Sequence, residues 1–134
     1  VKAMLKDEFY AGCCDDEQTK ATIKEYYDKY SYTCDTHTAV AVKVYEDYVK
    51  ATGDKTKTVI ASTASPYKFS GSVLSALGKN TDCDEFGLVD ELAEVSGMTV
   101  PASLAALKDK AVRFDKVIDK TEMKEYVFDS LNVK

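Results

Sequence analysis

Two short stretches of the chain concentrate side chains that can do chemistry. Asp35-Thr36-His37-Thr38 places a carboxylate, an imidazole and two hydroxyls within four residues. Ser62-Thr63-Ala64-Ser65-Pro66-Tyr67-Lys68-Phe69 places three aliphatic hydroxyls and a phenol beside an ammonium. Cys34 lies three residues before His37, a spacing open to a thiol nucleophile and its base. That spacing is common by chance, and no third group to orient the imidazole is evident in the sequence. A zinc site would need an unusual ligand set, because His37 is the single histidine and no C-x-x-C pair exists. Asp35 suits a helix N-cap, where its carboxylate opposes the positive end of the helix dipole. His37 then falls in the first helical turn, where the dipole disfavours an imidazolium, and reads as a neutral, hydrogen-bonded group that fixes the helix start. Lys68 is open to two readings, an attractor of a substrate phosphate or a solvated lysine at a helix start. Asp15, Asp16 and Glu17 read as the first turn of a helix rather than as a calcium loop, which needs more oxygen ligands at regular spacing.

These groups must be held by elements whose periodicity is legible. Asp15 and Gln18 form a D-x-x-Q capping box. The helix that follows carries Ile23, Tyr26, Tyr27 and Tyr30 on one face, read as core packing with wet hydroxyls. A second helix is predicted over 38–50, ending near Gly53. Ala41, Val44, Tyr45 and Tyr48 share a face of it, and Ala39, Val40 and Val42 widen the apolar arc toward burial on more than one side. Residues 57–62 contain β-branched Thr58, Val59 and Ile60 in a short run without alternation, the pattern of a strand covered on both faces. Thr63 ends that strand, and ligands of open α/β sheets sit beyond the carboxyl ends of strands. Taken from the residues alone, Thr63 is better read as a cap of the next helix or turn.

Further helices are predicted over 71–77, closed by Gly78, and over 84–95, stopped by Gly97. A short one starts at Pro101 and runs through Leu107. A last helix runs from Thr121 to Leu131 with Met123, Val127 and Leu131 on its inner face. Residues 112–117 form a weak second strand, and 1–10 a helix end or connector. A buried parallel strand needs neighbours for its backbone groups. Either the two candidate strands pair with each other or the neighbours lie outside this chain, and the order of elements reads as a single unit over 1–134, the tail of a larger α/β domain.

Composition narrows the function classes. The 134 residues carry a formal net charge of −5, with 23 acidic and 18 basic side chains, and Arg113 is the single arginine. Phosphate contacts to nucleic acid need a basic patch, so nucleic acid is not an expected partner. No apolar run approaches the ~20 residues that cross a bilayer, and no signal-peptide core is seen, so neither membrane nor secretion is expected. Cys13, Cys14, Cys34 and Cys83 are expected to be free thiols of a cytoplasmic protein.

Asp35-Thr36-His37-Thr38-Ala39-Val40-Ala41 and the Ser62–Phe69 stretch, in this order and spacing, resemble threonine synthase. The corresponding family stretches read D-P-H-T-A-V-A and T-A-H-P-A-K-F. Thr36 stands where the family usually has proline, and Ser65 where it usually has histidine. The resemblance covers essentially the whole chain and corresponds to the C-terminal portion of the enzyme. It implies a helix-rich piece of a tryptophan synthase β-like, fold type II α/β fold. It also implies conversion of O-phospho-L-homoserine and water to L-threonine and phosphate by a carbon–oxygen lyase in threonine biosynthesis. The cofactor implied is pyridoxal 5′-phosphate, held as a Schiff base on a lysine of the N-terminal half, with an upstream glycine-rich loop on its phosphate. Neither element is seen in this chain, which implies an inactive fragment whose partners are the N-terminal portion and the substrate. The resemblance assigns Thr63, with Ser62 beside it, to the cofactor ring nitrogen. It leaves Lys68 and Ser65 as substrate or phosphate candidates, and Asp35, His37 and Thr38 as a helix-start motif. The alternative is a non-catalytic binding or interaction module descended from such an enzyme, to which the Ser65 departure lends weight.

Overall fold

Asp15 starts the first helix in the manner its sequence predicts. Its carboxylate accepts from the Gln18 N–H at 2.8 Å, and the Gln18 side chain accepts from the Asp15 N–H at 3.0 Å. Two donors left unpaired at a helix start are thereby satisfied. This helix, α1, spans Asp16–Tyr30. Asp35 caps α2, Thr36–Thr52, which Gly53 ends in the left-handed conformation at φ +71°. Glycine adopts that conformation without the Cβ clash other residues meet. A 3-10 turn at Pro66–Phe69 leads into α3, Ser70–Ala76. Helix α4, Glu85–Ser96, is capped by Asp84 and ended by Gly97 at φ +69°. Two short helices follow, α5 at Ala102–Ala105 and α6 at Met123–Ser130. The computed structural model describes Met4 and residues 8–133, so the 1–10 connector lies in part outside the described residues.

Helix α1 packs against α2 and α3, and α3 packs against α4. Ile23, Leu74 and Leu92 meet in the core, each 0% exposed. Burial of three such side chains contributes roughly 1.5–3 kcal/mol each. Two tyrosine hydroxyls clamp the end of α4 to this core. Tyr27 donates to the Val95 carbonyl and Tyr67 to the Met98 carbonyl, both at 2.8 Å. Tyr26 donates to Glu46 of α2 at 2.9 Å. The tyrosine face of α1 is thus bonded at Tyr26 and Tyr27, whereas Tyr30 at its end is exposed.

Four expectations need correction. Residues 57–62 carry no regular secondary structure, and no strand is present among the described residues. Val59, expected inside a sheet, is 91% exposed. The second candidate strand, 112–117, is also irregular, with Val112 and Val117 exposed. β-branched residues bias the backbone toward extension, but a ladder needs a second strand within about 5 Å, and these two segments do not pair. Helix α6 forms, yet Met123, Val127 and Leu131 are all exposed. Periodicity says which residues share a face, not whether anything covers it. The helix also starts later than Thr121: α6 begins after Glu122, without a side-chain cap.

Candidate functional site

The two chemistry-bearing stretches meet at the N-terminus of α2. Asp35 is 1% exposed and accepts from the His37 N–H at 2.8 Å and the Thr38 N–H at 3.1 Å, both at Oδ1. Its Oδ2 takes a short hydrogen bond from the Thr38 hydroxyl. A buried carboxylate costs several kcal/mol in desolvation unless it is fully bonded, and these three donors supply that. Thr38 Oγ1 also donates to Ser62 Oγ at 3.1 Å, which joins the helix start to the 57–62 segment.

A second junction forms through aromatic contact. The His37 ring packs on Phe69 with centroids 5.6 Å apart. Its Nδ1 is 3.4 Å from both Asp35 Oδ1 and Thr36 Oγ1. The imidazole is about half exposed and lines an open groove of about 910 Å³. Val44, Tyr45 and Tyr48 of α2 line that groove together with Val59 and Ile60. The wide apolar arc predicted for α2 is therefore real, but its Val44–Tyr48 part faces this groove instead of a closed core. On the other side, Thr38 and Ser62 line a cleft of about 390 Å³ with Tyr26, Tyr30 and Tyr32.

The remaining candidates sit along the second stretch. Thr63 and Ser65 are exposed. Ser65 Oγ accepts from the Tyr67 N–H at 3.3 Å and so starts the 3-10 turn. Lys68 is exposed, with Nζ 5.4 Å from the Phe69 ring centroid. Cys34 lies on the core side, 0% exposed, and burial pushes its thiol up to about 11, with the Asp35 charge adding to the effect. A thiol so raised is neutral at physiological pH, which removes the Cys34–His37 nucleophile reading. All four cysteines are unpaired, and no cluster of metal ligands occurs among the described residues.

The family model described as threonine synthase, C-terminal, matches residues 38–127. The chain belongs to the threonine synthase C-terminal family. The match runs from Thr38, the residue that joins the two stretches, into the middle of α6. Asp35 and His37 fall just before it. What the sequence did not disclose within this threonine synthase region is the link from Thr38 to Ser62 and the Phe69 platform under His37. Both are contacts across more than 20 residues. The only local hint was a threonine three residues after an N-cap, where a side chain can reach back to the cap.

Proposed function

We propose that this chain is the C-terminal part of a pyridoxal phosphate-dependent threonine synthase, which converts O-phospho-L-homoserine and water to L-threonine and phosphate. The observation that carries the reading is the junction of the two motifs at Thr38 and Ser62, inside the region the family model matches. The donor set there suits one end of the cofactor. Ser62 and Thr63 offer neutral hydroxyls, and the one carboxylate in the junction, Asp35, is buried with its oxygens already engaged. A pyridine nitrogen at this ledge would meet a hydroxyl donor and no carboxylate. A hydroxyl does not force the nitrogen to stay protonated. When bound, pyridoxal phosphate supplies the electron sink for the replacement chemistry. In this reading Thr63 donates to the ring nitrogen, Ser62 braces it, and exposed Lys68 attracts substrate phosphate. Ser65, in place of the family histidine, holds the 3-10 turn.

The same reading accounts for the unpaired 57–62 segment. In the whole enzyme, a fold type II α/β protein, it is a strand whose neighbours come from the N-terminal portion. That portion also brings the lysine and the phosphate loop, and the protein works in the cytoplasm. The test is made on the full-length protein. Added pyridoxal phosphate should give a visible absorbance band, and phosphate and threonine should appear from O-phosphohomoserine. Thr63→Val should weaken cofactor binding about tenfold, as expected for one hydroxyl hydrogen bond to a polar ring atom. No band and no product would overturn the enzyme reading in favour of a non-catalytic descendant.

A further inference from the structure

We propose that Tyr67 is a positioning residue: its buried phenol fastens the Pro66–Phe69 turn to the chain leaving α4 and so sets where the Lys68 ammonium stands. The proposal rests on the reading of Lys68 as the group that attracts substrate phosphate, and names the residue that aims it.

The turn is shaped locally but placed by one distant bond. Within it, Lys68 N–H donates to the Ser65 carbonyl at 3.0 Å, Tyr67 N–H to Ser65 Oγ at 3.3 Å, and Ser70 Oγ to the Tyr67 carbonyl at 3.1 Å. All three lie within six residues of chain, so they fix the form of the turn and not its place in the fold. The Tyr67 phenol reaches 31 residues away, to the Met98 carbonyl at 2.8 Å. A carbonyl only accepts, so the direction of this bond is settled. Both ends are anchored. Tyr67 is 6% exposed, and its ring belongs to the core with Leu74 and Leu92. Met98 follows the Gly97 stop, and its N–H donates to Ser96 Oγ at 3.3 Å, while the Ser96 hydroxyl donates to the Leu92 carbonyl at 2.6 Å. The tie thus runs from the turn into the last turn of α4.

Lys68 depends on this tie because little else directs it. Among the described residues it takes part in no ion pair. Its ammonium rides on a flexible four-carbon stem, so its reach is set by the backbone that carries it and by the Phe69 ring beside it. It lines a cavity of about 440 Å³ together with Tyr67, Ser72, Glu85 and Phe86. Lys68 is the one cation of that lining and Glu85 the one carboxylate. The field an entering phosphate meets therefore turns on where the ammonium stands relative to Glu85, at the start of α4. A bond that holds the turn to α4 holds that separation.

The test uses the full-length protein loaded with pyridoxal phosphate, so that the cofactor's own phosphate site is filled. Affinity for inorganic phosphate is read by isothermal titration calorimetry, beside thermal melts. Lys68→Ala should weaken phosphate about tenfold, the loss of one charge-assisted bond. Tyr67→Phe keeps the ring in the core and removes only the phenol O–H; it should weaken phosphate about threefold, within the range of one net hydrogen bond. With Lys68 already replaced by alanine, Tyr67→Phe should weaken it no further, because the tie acts through Lys68. Ser96→Ala loosens the acceptor end and should behave as Tyr67→Phe does, which keeps the test open if Tyr67→Phe does not fold. A lowered melting temperature with unchanged phosphate affinity, or the same threefold loss with and without Lys68, would overturn the proposal while a weakened Lys68→Ala left the phosphate reading standing. Parent-like phosphate binding in Lys68→Ala would overturn that reading, and this proposal with it.

Discussion

Replacing Asp35 tests the junction most severely. In Asp35→Ala, two helix N–H groups and the Thr38 hydroxyl lose their acceptor at a site that is 1% exposed. Loss of an N-cap costs ~1 kcal/mol on average and ~2 kcal/mol at the upper end, which burial favours here. The stranded Thr38 hydroxyl adds ~1 kcal/mol. The expected loss is therefore ~3 kcal/mol, a factor of about 150 in the folded-to-unfolded ratio. Asp35→Asn separates the contributions. Its amide oxygen can still accept both N–H groups, while its NH2 turns the Thr38 hydroxyl around and sends the Thr38 proton toward Ser62. That variant should lose only ~1 kcal/mol, chiefly the charge–dipole contribution. Equilibrium urea unfolding followed by far-UV circular dichroism measures both, with an unchanged slope as the check that only stability moved. Asp35→Ala costing under ~1 kcal/mol, or Asp35→Asn costing as much as Asp35→Ala, would refute the reasoning.

Three further outcomes are expected. Under native conditions a thiol reagent should modify exposed Cys13 and Cys83 quickly and half-buried Cys14 slowly, and Cys34 only on unfolding; rapid loss of all four thiols would contradict the burial of Cys34. Asp54 is held down to about 2 by the Tyr48 hydroxyl and the Thr56 hydroxyl and N–H. Its contribution is present above its unfolded value of ~4 and lost as pH falls toward the folded value, so Asp54→Asn should flatten the fall in melting temperature below pH ~4. A parallel fall in both proteins would contradict it. Leu74→Ala removes a fully buried side chain at the centre of the core and should cost ~3 kcal/mol by urea titration, against under ~0.5 kcal/mol for Val59→Ala on the exposed segment.

What could be read from the sequence was local. The D-x-x-Q box at Asp15, the Asp35 cap and the Gly53 and Gly97 stops each depend on groups within four residues of one another. They appear where the sequence places them. The motifs that signal the family were legible for the same reason: residue type and spacing along the chain survive without any fold. The strand at 57–62 is not formed among the described residues, and the expected inner face of α6 is exposed, because both expectations concern what lies across from a segment. Thr58, Val59 and Ile60 favour extension wherever they are, but pairing requires a partner strand that their own order does not specify. The site divides in the same way. Asp35, Thr38, Ser62 and Thr63 were visible as candidates by type. That Thr38 and Ser62, 24 residues apart, share a hydrogen bond, and that Phe69 carries His37, was decided by the packing of α1, α2 and α3 alone. Local chemistry sets where helices begin and end. Which hydroxyls meet depends on how several faces bury one another at once, and that is a property of the whole tertiary structure.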